Sequence, residues 1–179
     1  MATRYLAREA LRVATADCHR RVDEIYSAAN LGDRISYANF LRAQASALLP
    51  LEAALDRAGI ADLMEDWPDR VRGPLLVQDM AVLGVPPPTS DGSPAITGTS
   101  AMLGALYVLE GSRLGGKLLK RSIPVDMPTS FLAGDYSASW PTLLLKLDLM
   151  LDTAERRTPA IAAARTVFSI FEESGRSYL

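Results

Sequence analysis

Apolar side chains recur every three or four residues along most of this chain, which is the pattern of amphipathic helices. The segments that show this pattern are 3–29, 36–59, 70–84, 101–123, 140–157 and 160–176. Between them, residues 85–99 and 124–138 carry the turn-forming residues of surface loops. Strictly alternating apolar and polar segments, which are typical of strands, are scarce, and there is no internal repeat. The pattern therefore predicts an all-α fold with six to eight helices.

Capping residues and prolines indicate where these helices begin and bend. Ser36 is expected to cap the second helix, and Pro50 is expected to kink or split it because proline removes a backbone donor. Thr99 or Ser100 is expected to open the fourth helix, which Pro124 stops. Thr158–Pro159 has the order of a cap followed by a first helical residue, so the last helix is predicted to begin there.

Length and charge narrow the class of protein. A chain of 179 residues is long enough for one packed core, so we expect a single domain over residues 1–179. With 19 Lys and Arg against 21 Asp and Glu, the net charge of −2 does not favour a nucleic-acid partner. Charged residues or prolines interrupt every apolar run before membrane-spanning length, and no signal-peptide pattern opens the chain. These features predict a cytoplasmic protein with no membrane contact.

The chain contains one cysteine, Cys18, and one histidine, His19. A single cysteine excludes an internal disulfide and a cysteine-based zinc cluster. Arg12 and Thr15 precede His19 on the same helical face, and Asp23 follows it by one turn. Asp23 can accept a hydrogen bond from the ring nitrogen that a metal would not use. His19 is then either an ordinary partly buried histidine beside an acid or the axial ligand of a haem iron, for which one imidazole suffices.

Four glycines lie inside the predicted fourth helix, and residues 111–117 nearly match a phosphate-binding loop. The match fails because Leu118 stands where a Mg²⁺-binding Ser or Thr is required and because no strand precedes the motif. Each glycine inside a helix costs roughly 1 kcal/mol relative to alanine. A close helix crossing or a large flat ligand could offset this cost. The spacing is interpreted as placing Gly111, Gly115 and Gly116 on one face of the helix. The four glycines are Gly104, Gly111, Gly115 and Gly116.

Two motifs resemble those of haem oxygenases, in particular the bacterial type associated with bacteriophytochromes. "LRVATADCHRRVDEIY" at 11–26 resembles the proximal helix of that family, and "YVLEGSRLGG" at 107–116 resembles its glycine-rich distal helix. The resemblance implies an all-α bundle with haem between the first helix and a glycine-kinked distal helix. It makes His19 the proximal iron ligand, with Thr15 and Asp23 beside it, and Arg12 a partner of a haem propionate. Catalytic roles fall to the distal residues Gly111, Ser112, Gly115 and Gly116.

The activity that the resemblance implies is the cleavage of haem to biliverdin, CO and Fe²⁺. Haem b with its iron would be both cofactor and substrate, and the reaction would consume O₂ and external electrons. Ferredoxin or flavodoxin with its reductase would supply the electrons, since basic side chains on the two helices suit an acidic donor. A bacteriophytochrome is the candidate recipient of the biliverdin.

This sequence departs from the animal-type pattern at two distal positions. Ser112 stands where that pattern has an Asp that organises water for proton delivery, and Lys117 stands where it has Gln. Proton delivery would then use backbone carbonyls, water, and Ser112 or Arg113. The alternative hypothesis is therefore a domain of the same fold that binds haem for sensing, or binds another protein, without turnover.

Overall fold

The computed structural model describes residues 6–89, 92, 94–133 and 139–179, apart from the side chain of Lys117. These residues form helices and loops without a strand, which confirms the predicted all-α class. The helices are α1 (Leu6–Tyr26), α2 (Arg34–Ala58), α3 (Ile60–Leu63), α4 (Trp67–Arg70), α5 (Gly73–Leu83), α6 (Thr99–Leu119), α7 (Ser139–Met150) and α8 (Ala154–Tyr178), and a 3₁₀ turn at Lys120–Ser122 follows α6.

Helix α2 begins earlier than its sequence predicts. A carboxylate oxygen of Asp33 accepts the backbone N–H of Ser36 at 2.8 Å, so Asp33 is the cap and Ser36 lies within the first turn. The C-terminal limits of α2 and α5 were predicted correctly. Gly59 and Gly84 follow these helices with φ values of 82° and 74°, a left-handed conformation that favours glycine.

Two prolines lie inside helices. Pro50 was expected to kink or split its helix, and Pro159 was expected to follow the cap at the start of its helix. Helix α2 runs unbroken past Pro50, and Pro159 is the sixth residue of α8. The cap of α8 is Thr153, whereas the Thr158 hydroxyl donates to the carbonyl of Ala154 at 3.0 Å. Pro50 therefore does not split α2, and the prediction that α8 begins at Thr158–Pro159 was wrong, because burial of a long apolar face outweighs one missing backbone hydrogen bond.

The last helix, α8, holds the other long helices together, since it packs against α1, α2 and α6. Its approach to α6 is closest at Gly104, where an added Cβ would lie 2.7 Å from the carbonyl carbon of Ala160. A similar approach joins α8 to α1 at Gly175, whose Cβ would lie 2.6 Å from the side chain of Ile25. In the described residues, α1 and α6 share at most a slight direct contact. Side chains of α1 that lie beside α8 are therefore not covered by α6, and those of α6 are not covered by α1.

The helices of the described ranges include none that combines the length and the apolar composition needed to cross a membrane.

Candidate functional site

The two ring nitrogens of His19 on α1 differ in their surroundings. Its Nδ1 lies 2.8 Å from a carboxylate oxygen of Asp23, which is the contact predicted from the i, i+4 spacing. Its side chain is 63% exposed, although the ring edge meets Phe168 of α8 with 5.8 Å between centroids. No described residue forms a hydrogen bond with Nε2. With its hydrogen on Nδ1, toward Asp23, the ring would leave Nε2 able to bind a metal.

The other two residues singled out on this face of α1 differ in their surroundings. Thr15 is buried, and its hydroxyl donates to the carbonyl of Leu11 at 2.8 Å. Its hydroxyl hydrogen is therefore used within α1 and is not offered to a ligand. Arg12 is exposed and pairs with Glu9 at 2.6 Å. That hydrogen bond lowers the pKa of Glu9. An exposed pair of this kind is weak, so Arg12 can exchange Glu9 for another anion.

Tyr107 on α6 was missed by the sequence reasoning and lies close to the charged face of α1. Burial raises the pKa of its phenol, and the positive charges of Arg8 and Arg12 act in the opposite direction. Its ring also contacts Trp140 of α7, with 5.8 Å between centroids. The available signal was its position one turn before Gly111 on the same helix. The charges of Arg8 and Arg12 on α1 thus act on the phenol of Tyr107 on α6.

The four helical glycines serve different purposes. Gly104 permits the crossing with α8, and Gly116 is buried, where an added Cβ would lie 3.2 Å from the side chain of Leu132. The expectation that Gly116 shares a face with Gly111 and Gly115 was wrong, because successive helical residues point about 100° apart. An added Cβ at Gly115 would meet nothing within 4 Å, and one at Gly111 would meet only Trp140 at 4.0 Å. Packing within the described chain therefore does not account for Gly111 and Gly115.

Two exposed leucines extend the surface of these two glycines. Leu114 is 47% exposed and Leu118 is 64% exposed. Together with Gly111 and Gly115 they have the spacing of a single helical stripe, which we call the open stripe of α6. A flat apolar molecule could lie directly against this stripe because the glycines carry no side chain. The same residues are continuously helical, which excludes a phosphate-binding loop at 111–117.

The Ser112 hydroxyl beside the open stripe is held by two partners. It donates to the carbonyl of Leu109 at 2.7 Å and accepts a hydrogen bond from Nη2 of Arg72 at 2.8 Å. Arg72 is buried, and its guanidinium lies over the ring of Phe131 at 5.1 Å from the centroid. The sequence contained no signal for this contact, because Arg72 lies 40 residues earlier and precedes a different helix.

A buried ionic network lies on the other side of α6. Glu110 pairs with Nε of Arg113 at 3.1 Å and with Nη1 of Arg70 at 3.1 Å, and its carboxylate also accepts the Ser139 hydroxyl. Arg113 is buried and lies about half a turn away from the open stripe. The structure thus excludes Arg113 from that stripe and leaves Ser112 as the candidate side chain for ordering water beside it.

A separate cleft of about 420 Å³ lies between the end of α2 and residues 94–98. It reaches the start of α6 at Gly98, about 20 Å along the helix from Gly111. Among the described residues that line it, Arg57 is the one that carries a charge. We assign the candidate site to His19 on α1 and the open stripe on α6 rather than to this cleft, because the imidazole and the uncovered glycines are there.

Comparison with known structures identifies the class of fold. The chain is similar to the haem oxygenase of Neisseria meningitidis, solved in its NO- and CO-bound forms, with a TM-score of 0.82, 22% identity, and coverage of 96% of this chain and 90% of that one. It is also similar to haem oxygenase from Leptospira interrogans, with a TM-score of 0.72, 16% identity, and coverage of 97% and 99%. The chain therefore has the all-α fold of these bacterial proteins.

Sequence comparison identifies the family. No protein-family model matches the chain. The chain is 32% identical to a haem oxygenase of Xanthomonas campestris pv. campestris over 146 residues, which cover 78% of this chain and 88% of that protein. The chain belongs to the haem oxygenase family.

Proposed function

We propose that residues 1–179 form one haem oxygenase domain that binds haem between α1 and the open stripe of α6 and cleaves it to biliverdin, CO and Fe²⁺. The observation that carries this proposal is the open space at Gly111 and Gly115. Two helical glycines at positions where the described chain leaves room for a side chain are costly unless a ligand lies against the backbone. Their place in a chain of this family makes haem that ligand.

His19 would bind the haem iron through Nε2. The 2.8 Å contact between Nδ1 and Asp23 supports this role because a partner of this kind orients the ring of a metal-binding histidine. Phe168 restrains the ring from the side of α8. Thr15 would support the helix beneath the haem through packing, since its hydroxyl is already bonded to Leu11.

Arg12, Arg8 and Tyr107 would bind the haem propionates. Arg12 exchanges its weak exposed pair with Glu9 for a propionate, and Tyr107 donates its phenolic hydrogen. The electrostatic coupling between Tyr107 and the two arginines supports their joint action on one carboxylate group. These contacts would also set the rotation of haem in the site, and hence which edge faces Ser112.

On the distal side, Gly111 and Gly115 would let haem approach the backbone of α6, while Leu114 and Leu118 exclude water from its face. Haem itself supplies the oxygen-activating chemistry when bound. The task of the chain is then to exclude bulk water and to hold ordered water for proton delivery. Ser112 is the described polar side chain next to the open stripe that can take part.

The physiological partners remain predictions from the sequence. We propose an acidic electron donor of the ferredoxin or flavodoxin type, because α1 carries exposed arginines, Arg12 and Arg20 among them. A bacteriophytochrome as recipient of biliverdin and a cytoplasmic location also stay predictions.

The second candidate is a domain that binds haem without turnover. It is favoured by the presence of a hydroxyl, Ser112, where the animal-type pattern has a carboxylate, since a neutral hydroxyl brings no negative charge to the water network.

Haem titration followed by turnover distinguishes the two candidates. We would add hemin to the purified protein, then supply ferredoxin, its reductase and NADPH in air, with catalase present to remove free peroxide. The enzyme proposal expects a Soret band at one haem per chain that gives way to the spectrum of biliverdin. A Soret band that persists would favour the non-catalytic domain, and the absence of any haem complex would refute both proposals.

A further inference from the structure

We propose that Arg72 is a positioning residue that locks the Ser112 hydroxyl as a hydrogen-bond acceptor toward water on the distal side of the haem. This inference rests on the proposed function and deepens it. It explains how the hydroxyl of Ser112 can orient distal water in the way that a carboxylate would.

The donors and acceptors around Ser112 determine the direction of each hydrogen bond. A guanidinium can only donate and a carbonyl can only accept. Because Arg72 lies 2.8 Å from Ser112 Oγ, it occupies one lone pair of that oxygen. Because the Leu109 carbonyl lies 2.7 Å away, it takes the hydroxyl hydrogen. One lone pair remains, and no described residue occupies it, so toward solvent Ser112 can only accept.

An obligate acceptor orients water as a carboxylate oxygen does. A water that donates one hydrogen to Ser112 directs its second hydrogen elsewhere, and beside the open stripe that direction includes the haem face. A serine that was free to rotate could donate to the same water and reverse its orientation. The Leu109 carbonyl, which holds the hydroxyl hydrogen, and Arg72, which occupies one lone pair, together oppose this reversal, so the acceptor role of a carboxylate is obtained without its charge.

Arg72 is itself held rigidly, which a positioning role requires. Its backbone N–H and that of Gly73 donate to the buried carboxylate of Glu52 at 2.8 and 2.9 Å. Its Nη2 also donates to the carbonyl of Leu109 at 3.1 Å, and its guanidinium packs over Phe131. The turn of α6 that carries Ser112 is thus fixed to the start of α5 through one side chain.

The test is a double-mutant cycle on the haem complex, with the midpoint pH of the alkaline transition of the ferric spectrum as the readout. The proteins are the wild type, Arg72→Gln, Ser112→Ala and the double variant. A locked acceptor stabilises distal water over hydroxide and so raises the midpoint pH. Arg72→Gln should therefore lower the midpoint in the protein that has Ser112, compared with the effect of the same change in the Ser112→Ala background. The difference should be about 0.5 pH unit or more, which is the shift expected from one hydrogen bond of ordinary strength. The positive charge of Arg72 alone has the opposite effect, since it favours hydroxide.

Arg70→Gln is the matched control because Arg70 is equally buried and ionic but pairs with Asp66 and Glu110 rather than with Ser112. It should shift the midpoint equally with and without Ser112. If Arg72→Gln does the same, Arg72 acts by charge alone and the inference is wrong. Should Arg72→Gln fail to fold, Arg72→Lys replaces it in the cycle, since lysine keeps the charge but loses the planar fork. Absence of a Soret complex in the wild type would refute the proposed function, whereas an additive cycle on an active enzyme would refute this inference alone.

Discussion

Replacing Gly115 with alanine should change the stability of the apoprotein and its affinity for haem in opposite directions. The added methyl would meet no atom within 4 Å, and the residue has an ordinary helical conformation. The apoprotein should therefore gain about 1 kcal/mol of stability from the better helix former. For a chain of this length, that gain corresponds to a rise of about 2–4 °C in the melting temperature.

The same methyl should weaken haem binding. If haem lies against the α6 backbone at Gly115, the methyl must displace it or bend the helix, and overpacking of this kind typically costs about 1–3 kcal/mol. The dissociation constant should therefore rise about tenfold, which corresponds to about 1.4 kcal/mol. Chemical denaturation of the apoprotein and a Soret titration measure the two effects independently.

Gly104→Ala is the matched control in the same helix. Its methyl would lie 2.7 and 2.8 Å from backbone atoms of Ala160, which cannot move aside without separating α6 from α8. The apoprotein should lose about 1–3 kcal/mol despite the gain in helix propensity. Our reasoning is refuted if Gly115→Ala binds haem as tightly as the wild type, or if it destabilises the apoprotein as Gly104→Ala does.

Three further substitutions, one of them with a matched control, test other parts of the site and its support. His19→Ala should abolish the imidazole–iron signature in the spectrum of the haem complex, and added imidazole should restore it; an unchanged spectrum would exclude His19 as the ligand. Arg12→Gln should weaken haem binding about fivefold, by loss of about 1 kcal/mol, and less so in high salt. Arg20→Gln, an equally exposed change on another face of α1, should leave the titration unaltered, so equal losses would argue against a propionate contact. Hydrogen bonding to Arg70 lowers the pKa of Asp66, so the stability from this pair is present above the ordinary carboxyl range and is lost as the pH falls through the lowered pKa. Asp66→Asn should therefore destabilise the protein at neutral pH and reduce the loss of its unfolding free energy at acid pH. If the unfolding free energies of the variant and the wild type, measured by denaturation, change with pH in parallel, the assignment is wrong.

Local patterns predicted the helices well and their starting points less well. Gly59 and Gly84 were assigned correctly as helix ends because a left-handed residue after a helix is a local requirement. Thr158–Pro159 has the sequence of a helix start, yet Thr153 caps α8 and the helix continues through both residues. A cap motif states only that a helix can begin there, while the packing of α8 against three other helices decides where it does begin.

The sequence by itself determined the all-α class, the pairing of His19 with Asp23 and the exclusion of a phosphate-binding loop. Each depends on residues within one or two helical turns, where spacing along the chain sets the distance in space. Only the tertiary structure separated the crossing glycine, Gly104, from the uncovered Gly115, and brought Arg72 to Ser112 across 40 residues. Such contacts depend on how whole helices pack, and the packing of two helices is decided by many side chains together rather than by any local motif.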